Sequence, residues 1–401
     1  MNPDLSQLHP YPFEKLAELK RDWTAPDGIE PLALSIGEPQ HNPPSLALEA
    51  LTGNLAGLAK YPGTRGSDTL RNTLAGWINR RYSLGATGID PDTQVLPVNG
   101  TREALFAIAQ CLLDRTVPGA QVLVPNPFYQ IYEGATLLAG LEPNFYPLSA
   151  QNGYRPDLDH LTREAWSRCQ MIYLCNPGNP TGATLDIEQF TQLIELAHEH
   201  DFVIVSDECY SEIYPDESTP PPGLLEACKA VGNDAFERAL VFNSLSKRSS
   251  LPGLRSGFVA GDANLIAQFL RYRTYHGSAM SLAVQSASVA AWSDEAHVLE
   301  NRALYREKFR RFLNILDGAP GIKLPSPQAG FFLWPELELD DIEFTRCLFE
   351  THNMTVVPGR LLAREVDGDN PGKQHVRIAL VADADHCERA AHRIRETLNT
   401  L

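Results

Sequence analysis

Five short apolar runs, at 121–125, 171–175, 202–206, 239–243 and 257–260, none with more than one polar residue and that one at an end, limit most strongly how this chain can fold. A run that is apolar throughout its interior has no wet face, so as a strand it must be covered on both sides. Between several of the runs apolar residues recur at intervals of three and four, as at 185–200, which is the period of an amphipathic helix. Buried strands alternating with helices imply an α/β fold, a mostly parallel sheet with helices on both faces. With 401 residues the chain exceeds what one simple core accommodates, and two domains are expected.

Outside this alternation the pattern changes. The opening to about residue 31 is polar and dotted with prolines and reads as an arm. One long helical stretch is expected at 280–316, followed by extended segments at 330–334, 355–358 and 376–379 and a helix at 342–352. These suggest a smaller α+β domain, with a loop at 363–373 where Asp and Gly accumulate.

Charge and cysteine usage exclude whole classes of partner. Fifty acidic against 34 basic side chains leave a formal charge of −16, which repels phosphate backbones and anionic lipid. Nucleic acid and membrane are therefore not expected partners, and no apolar run approaches the ~20 residues that span a bilayer. The seven cysteines are scattered and form no C-x-x-C pair, so neither a metal site nor a disulfide framework is expected. A reducing cytoplasmic setting fits, and the first ten residues lack the features of a secretion signal.

In an open α/β sheet ligands bind beyond the carboxyl ends of the strands, so the residue after each apolar run is informative. After 239–243 come Ser244-Leu245-Ser246-Lys247 and then Pro252-Gly253-Leu254-Arg255. A lysine among hydroxyls and an arginine suits an amine that binds a phosphorylated carbonyl compound covalently. After 202–206 come Asp207-Glu208-Cys209-Tyr210, where the carboxylate suits a pyridine nitrogen and Tyr210 a phenolic oxygen. After 171–175, Asn176-Pro177-Gly178-Asn179-Pro180-Thr181-Gly182 forms a constrained turn that pre-places Asn179. Gly100-Thr101-Arg102 opens a helix expected at 101–112, and such an N-terminus offers N–H groups and a favourable dipole to an anion.

Each feature alone has a plainer reading: a surface lysine in a serine-rich loop, an aspartate or threonine capping a helix, an ordinary turn. The S-x-x-K of serine acyltransferases also matches Ser244 to Lys247, but its companion tripeptides S-D-N and K-T-G are absent. All the features together, at strand ends of one sheet, supply the contacts of pyridoxal 5′-phosphate (PLP).

These motifs, with Asn99–Leu105 and with 60–66 (Lys-Tyr-Pro-Gly-Thr-Arg-Gly), resemble the fold-type I, class I/II aminotransferases over nearly the whole chain. The resemblance implies a seven-stranded, mostly parallel sheet in a large domain at 51–285. It also implies a small C-terminal domain at 286–401 and an arm at 1–50 that contributes to the small domain. It makes Lys247 the covalent amine and proton carrier, with Asp207 at the ring nitrogen and Asn179 and Tyr210 at the phenolic oxygen. By the same resemblance Tyr129 stacks on the ring, while Gly100, Thr101, Arg102, Ser244, Ser246 and Arg255 hold the phosphate. Arg377 grips the substrate α-carboxylate and the backbone of Gly37 approaches the substrate, with Asn179 beside them. Tyr61 matches a tyrosine that reaches the phosphate of a second copy, which implies a homodimer.

The stretches 34–41, 97–106, 125–135, 206–214, 244–263 and 272–281 further resemble bacterial succinyldiaminopimelate transaminases. That implies amino-group exchange between N-succinyl-LL-2,6-diaminopimelate and 2-oxoglutarate by ping-pong turnover through pyridoxamine phosphate, within lysine biosynthesis. Another amine such as acetylornithine, a β-elimination, or a non-enzymatic PLP-binding regulator are the alternatives. For the substrate's distal end the available cations are Arg65, Arg102, Arg248, Arg273 and Arg360, each with a surface ion pair as its plainer reading. The run His276-Gly277-Ser278 is expected near the interface and cofactor, and Cys209 is expected to serve packing.

Overall fold

The computed structural model describes residues 2–326 and 328–401. All five apolar runs become strands of one seven-stranded sheet, ordered Val95–Val98, Gly257–Gly261, Ala239–Ser244, Val203–Asp207, Cys169–Cys175, Gln121–Asn126 and Glu142–Pro147. Every pairing is parallel except those of Gly257–Gly261, which runs antiparallel to both of its neighbours. Alternate residues of the inner strands feed two cores. Leu123, Ile172, Ile204 and Val241 pack on one face, and Val124, Tyr173, Val205 and Phe242 on the other. Burial on both faces is why these runs carry no polar alternation.

Two strands lack the unbroken apolar pattern. Glu142–Pro147 is an edge strand, only partly covered, and its Pro143 and Pro147 are tolerated because an edge has spare hydrogen-bonding positions. Val95–Val98 is the opposite edge, fully buried yet only four residues long.

The long helix expected at 280–316 is two helices, Leu282–Ser293 and Ala296–Leu316. Asp294 breaks it. Its backbone is extended, its carboxylate accepts the His297 N–H at 3.0 Å, and its carbonyl accepts from the buried Arg248 guanidinium at 3.2 Å. The first of the two helices stays with the sheet: Trp292 packs on Trp77 and Phe258, at ring separations of 4.6 and 5.3 Å. This core thus extends beyond residue 285.

A second hydrophobic cluster gathers Phe312, Leu316, Leu333, Phe344, Val376, Ile378 and Ile394 together with Leu32 and Leu34. Its sheet places Val376–Ala379 between Phe332–Leu333 and Val357–Pro358, antiparallel to both. Leu32–Ala33 pairs in parallel with Met354–Thr355, so the N-terminal segment is built into the C-terminal unit. Among the described residues no helix is long and apolar enough to cross a membrane.

Trp77 joins the helix Asp68–Arg81 to the sheet through Phe258 and to Trp292 behind it. Trp77→Ala is expected to cost about 3–5 kcal/mol, read as a clear fall in the chemical-denaturation midpoint. An unchanged midpoint would mean that this aromatic cluster contributes little to stability.

Candidate active site

The carboxyl ends of the parallel strands converge on a cavity of ≈ 630 Å³, within the range of small-molecule sites. Each strand delivers its chemistry in the residue or turn that follows. Val203–Asp207 ends on Asp207 itself, and Cys169–Cys175 leads into the turn that carries Asn179. Ala239–Ser244 runs directly into a single helical turn, Leu245–Arg248, whose third residue is Lys247.

Val95–Val98 passes through Asn99 and Gly100 into the helix Thr101–Leu112. Gly100 has φ +84°, and a Cβ there would overlap Nη2 of Arg255. Only glycine lets that guanidinium lie against the helix start, where unpaired N–H groups also collect. Ser244, Ser246 and Thr101 line the same end, which is therefore built for an anion.

Lys247 is half-buried, and its Nζ donates to the Gly37 carbonyl at 2.7 Å. Burial is the main reason its ammonium is pushed down to about 8, with the Arg377 charge acting the same way and Asp207 and Glu38 opposing. Gly37 has no room for a side chain, since a Cβ would meet the Phe332 ring at 2.6 Å.

Arg377 is buried. It donates to the Ser35 carbonyl at 2.8 Å and to Asn179 Oδ1 at 3.1 Å, and its guanidinium lies 4.4 Å from the Phe332 ring centre. Its Nε has no partner. Burial lowers its pKa to about 10.

Asp207 sits at the opposite pole. Burial raises its pKa, against hydrogen bonds that favour the carboxylate: the Cys209 N–H at 3.3 Å and the Tyr132 hydroxyl at 2.9 Å. Cys209 packs its thiol against Thr101 Oγ1 at 3.0 Å and is itself pushed up by burial. Tyr129 lines the wall, its hydroxyl accepting from Arg102 Nε at 2.8 Å.

The structure brings together Gly37, Thr101, Arg102, Tyr129, Asn179, Asp207, Tyr210, Ser244, Ser246, Lys247, Arg255 and Arg377 around this one cavity, with Gly100 directly behind Arg255. It does not bring Tyr61, which is fully exposed on its own chain. Of the five arginines considered for a distal group, four are held by carboxylates: Arg65 by Asp92, Arg248 by Glu295, Arg273 by Glu103, and Arg360 by Asp340 and Asp341. Arg102 alone lines the cavity, and its side-chain partners are the hydroxyls of Tyr129 and Tyr11. His276 ends the helix Ala263–His276, and the Ser278 carbonyl accepts from Arg273, which also holds Asn99 behind the anion end.

Some lining residues were not legible beforehand. Tyr11 and Phe13 come from the segment read as an arm, and Leu362 from the far end of the chain. Tyr132, three residues after Tyr129, does not line this cavity but fixes Asp207, with its ring stacked 4.8 Å from that of Tyr173. Tyr129 precedes the helix Ile131–Leu138 that carries Tyr132, so no helical spacing in the sequence signals this contact.

A family model described as aminotransferase class I and II matches residues 29–394. An LL-diaminopimelate aminotransferase of Nitratidesulfovibrio vulgaris (strain Hildenborough) is 33% identical over 396 residues, covering 97% of each chain. Among solved structures, an aminotransferase from Neisseria meningitidis Z2491 is 47% identical with a TM-score of 0.94, covering 98% of this chain and 99% of that one. A probable N-succinyldiaminopimelate aminotransferase from Thermus thermophilus is 29% identical with a TM-score of 0.84, covering 96% and 100%.

Because an amine reacts only when neutral, the lowered pKa of Lys247 has a direct consequence. In cofactor-free protein its acetylation, resolved by peptide mapping, should rise with pH around a midpoint of about 8 rather than the ordinary 10.5. A midpoint near the ordinary value would show that burial leaves this amine unperturbed.

Proposed function

The chain belongs to the class I and II aminotransferase family, whose members depend on PLP, and on that footing we propose that it exchanges an amino group between N-succinyl-LL-2,6-diaminopimelate and 2-oxoglutarate. The observation that carries the reading is one cavity holding a half-buried amine, a buried carboxylate and a buried, partly unpaired guanidinium beside an anion-binding helix start. The residues fit the cofactor: the Gly100–Arg255 cradle suits its phosphate, Asp207 its ring nitrogen, and Lys247 its aldehyde. When bound, PLP supplies an aldehyde that condenses with amines and a protonated ring that withdraws electrons from the substrate α-carbon.

In this reading Thr101, Ser244, Ser246, Arg255 and the N–H groups at 100–102 hold the phosphate. Tyr132 and the Cys209 N–H favour the anionic form of Asp207 against burial, and as an anion it would keep a proton on the ring nitrogen. Asn179 and Tyr210 address the phenolic oxygen, and Tyr129 covers the ring. Arg377 offers its fork to the substrate α-carboxylate, oriented by Ser35 and Asn179. Lys247, neutral at mildly alkaline pH, takes the proton from the α-carbon and returns it on the other side of the exchange. Gly37 keeps the wall near Lys247 narrow enough to align the substrate.

Arg102 supports a substrate with a distal negative charge: of Arg65, Arg102, Arg248, Arg273 and Arg360 it is the one that lines the cavity, and its side-chain partners are hydroxyls. A second reading, LL-diaminopimelate itself, is favoured by exposed Glu38 on the same cavity, because Arg102 and Glu38 together suit a distal carboxylate and ammonium. The family resemblance and the exposed Tyr61 support a homodimer in which Tyr61 serves the neighbouring site.

Lys247→Ala should abolish turnover while the protein still binds PLP non-covalently; undiminished turnover would remove the central assignment. Arg102→Ala should lower kcat/KM for the dicarboxylic amine by about tenfold or more, ~1.4 kcal/mol, and spare alanine. Supplying each amine with and without 2-oxoglutarate separates the two readings. Faster loss of the bound cofactor's visible band with the succinylated amine supports the first, and faster loss with the free diamine replaces it with the second.

A further inference from the structure

Lys247 lies in a helix of four residues, too short to satisfy its own last carbonyls. Those of Lys247 and Arg248 both accept from Asn301 Nδ2, each at 3.1 Å. Asn301 belongs to a different element, the helix Ala296–Leu316, and is buried there.

Carbonyls can only accept, so the amide nitrogen must face them and Oδ1 must face the other way. On that side Oδ1 accepts from Ser250 Oγ at 3.3 Å and meets His41 Nδ1 at 2.6 Å. The imidazole therefore carries its proton on Nδ1, and Nε2 is left buried without a partner. Burial lowers the pKa of His41, against the smaller opposing effect of Asn301, which preserves this neutral form. The ring is held in place by the Tyr305 ring, 4.6 Å away.

His41 follows Gly37 by four residues, and the Gly37 carbonyl accepts from Lys247 Nζ. One short segment thus touches Lys247 at both ends, its amine directly and its main chain through Asn301. We propose that His41 and Asn301 form a latch that sets the distance and direction of the Lys247 amine relative to the segment at 37–41. Both are positioning residues, acting through Lys247. The inference rests on the role given to Lys247 above.

The test compares His41→Phe, which removes the donor to Asn301, with His41→Asn, whose Nδ2 replaces Nδ1. Two quantities are read: the acetylation midpoint of Lys247 in cofactor-free protein, and kcat against KM in the PLP-loaded enzyme. His41→Phe should move the midpoint toward the ordinary lysine range by about half a pH unit or more. It should lower kcat about tenfold and leave KM within about twofold. His41→Asn should restore both.

An unchanged midpoint and kcat in His41→Phe would overturn the latch, as would a His41→Asn variant equally impaired. The midpoint is read without cofactor or turnover, so a failure of the latch is distinguishable from a failure of Lys247 as the catalytic amine.

Discussion

Three charged groups around one cavity, the half-buried Lys247 and the buried Arg377 and Asp207, impose the condition that the surrounding structure has to meet. Burying an ion without compensation costs several kcal/mol, more than a marginally stable fold can absorb three times over. Each charge is therefore met by a group from a distant part of the chain. The Gly37 carbonyl meets Lys247; the Ser35 carbonyl, Asn179 and the Phe332 face meet Arg377; Tyr132 and the Cys209 N–H meet Asp207. The compensation is partial, and the remainder appears as a lysine shifted to about 8 and an arginine to about 10. That shift is also what makes the amine chemically useful near neutral pH.

Because the compensating groups are remote in sequence, the two hydrophobic units cannot be built independently of the site. The chain places Ser35 and Gly37 by first pairing Leu32–Ala33 with Met354–Thr355. The Ala379 N–H then donates to the Leu34 carbonyl at 2.8 Å, which brings the strand bearing Arg377 alongside. The helix Ala296–Leu316 takes part at both ends: Asn301 supports the lysine turn, while Phe312 and Leu316 lie in the second core.

The pair Asp207-Glu208 shows how one strand end serves two purposes. Asp207 faces the cavity, whereas Glu208 faces inward, accepting from the Tyr82 hydroxyl at 2.7 Å, Leu224 N–H at 2.9 Å and Ser206 Oγ at 3.1 Å. Burial raises Glu208 to about 7 despite these donors. Beyond it Glu212 is gripped by Arg81 at 2.7 Å and by Arg302 at 3.6 Å, tying the segment after the strand to two helices. Behind a site that must hold its geometry, the interior is thus a network of ions with few spare hydrogen bonds.

How much of this could be read from the order of residues alone differs from feature to feature. The continuous apolar runs alternating with helical periods determined a mostly parallel sheet covered on both faces, but not that Gly257–Gly261 runs antiparallel within it. The positions of Asp207, Asn179 and Lys247 just beyond those runs determined that the three would meet, because parallel strands deliver their carboxyl ends to one side, and the helix start at Thr101 joins them from the edge strand Val95–Val98. The edge strand Glu142–Pro147 escaped because an edge is half wet, and the break at Asp294 because helical periodicity continues across it. Tertiary structure alone decided that Ser35 and Gly37 lie against Arg377 and Lys247, that Tyr132 holds Asp207, that Arg102 and not Arg65, Arg248, Arg273 or Arg360 lines the cavity, and that His41 and Asn301 stand behind the lysine. Those contacts join residues separated by tens to hundreds of positions. The local periodicities that reveal strands and helices carry no record of what packs against a distant carbonyl.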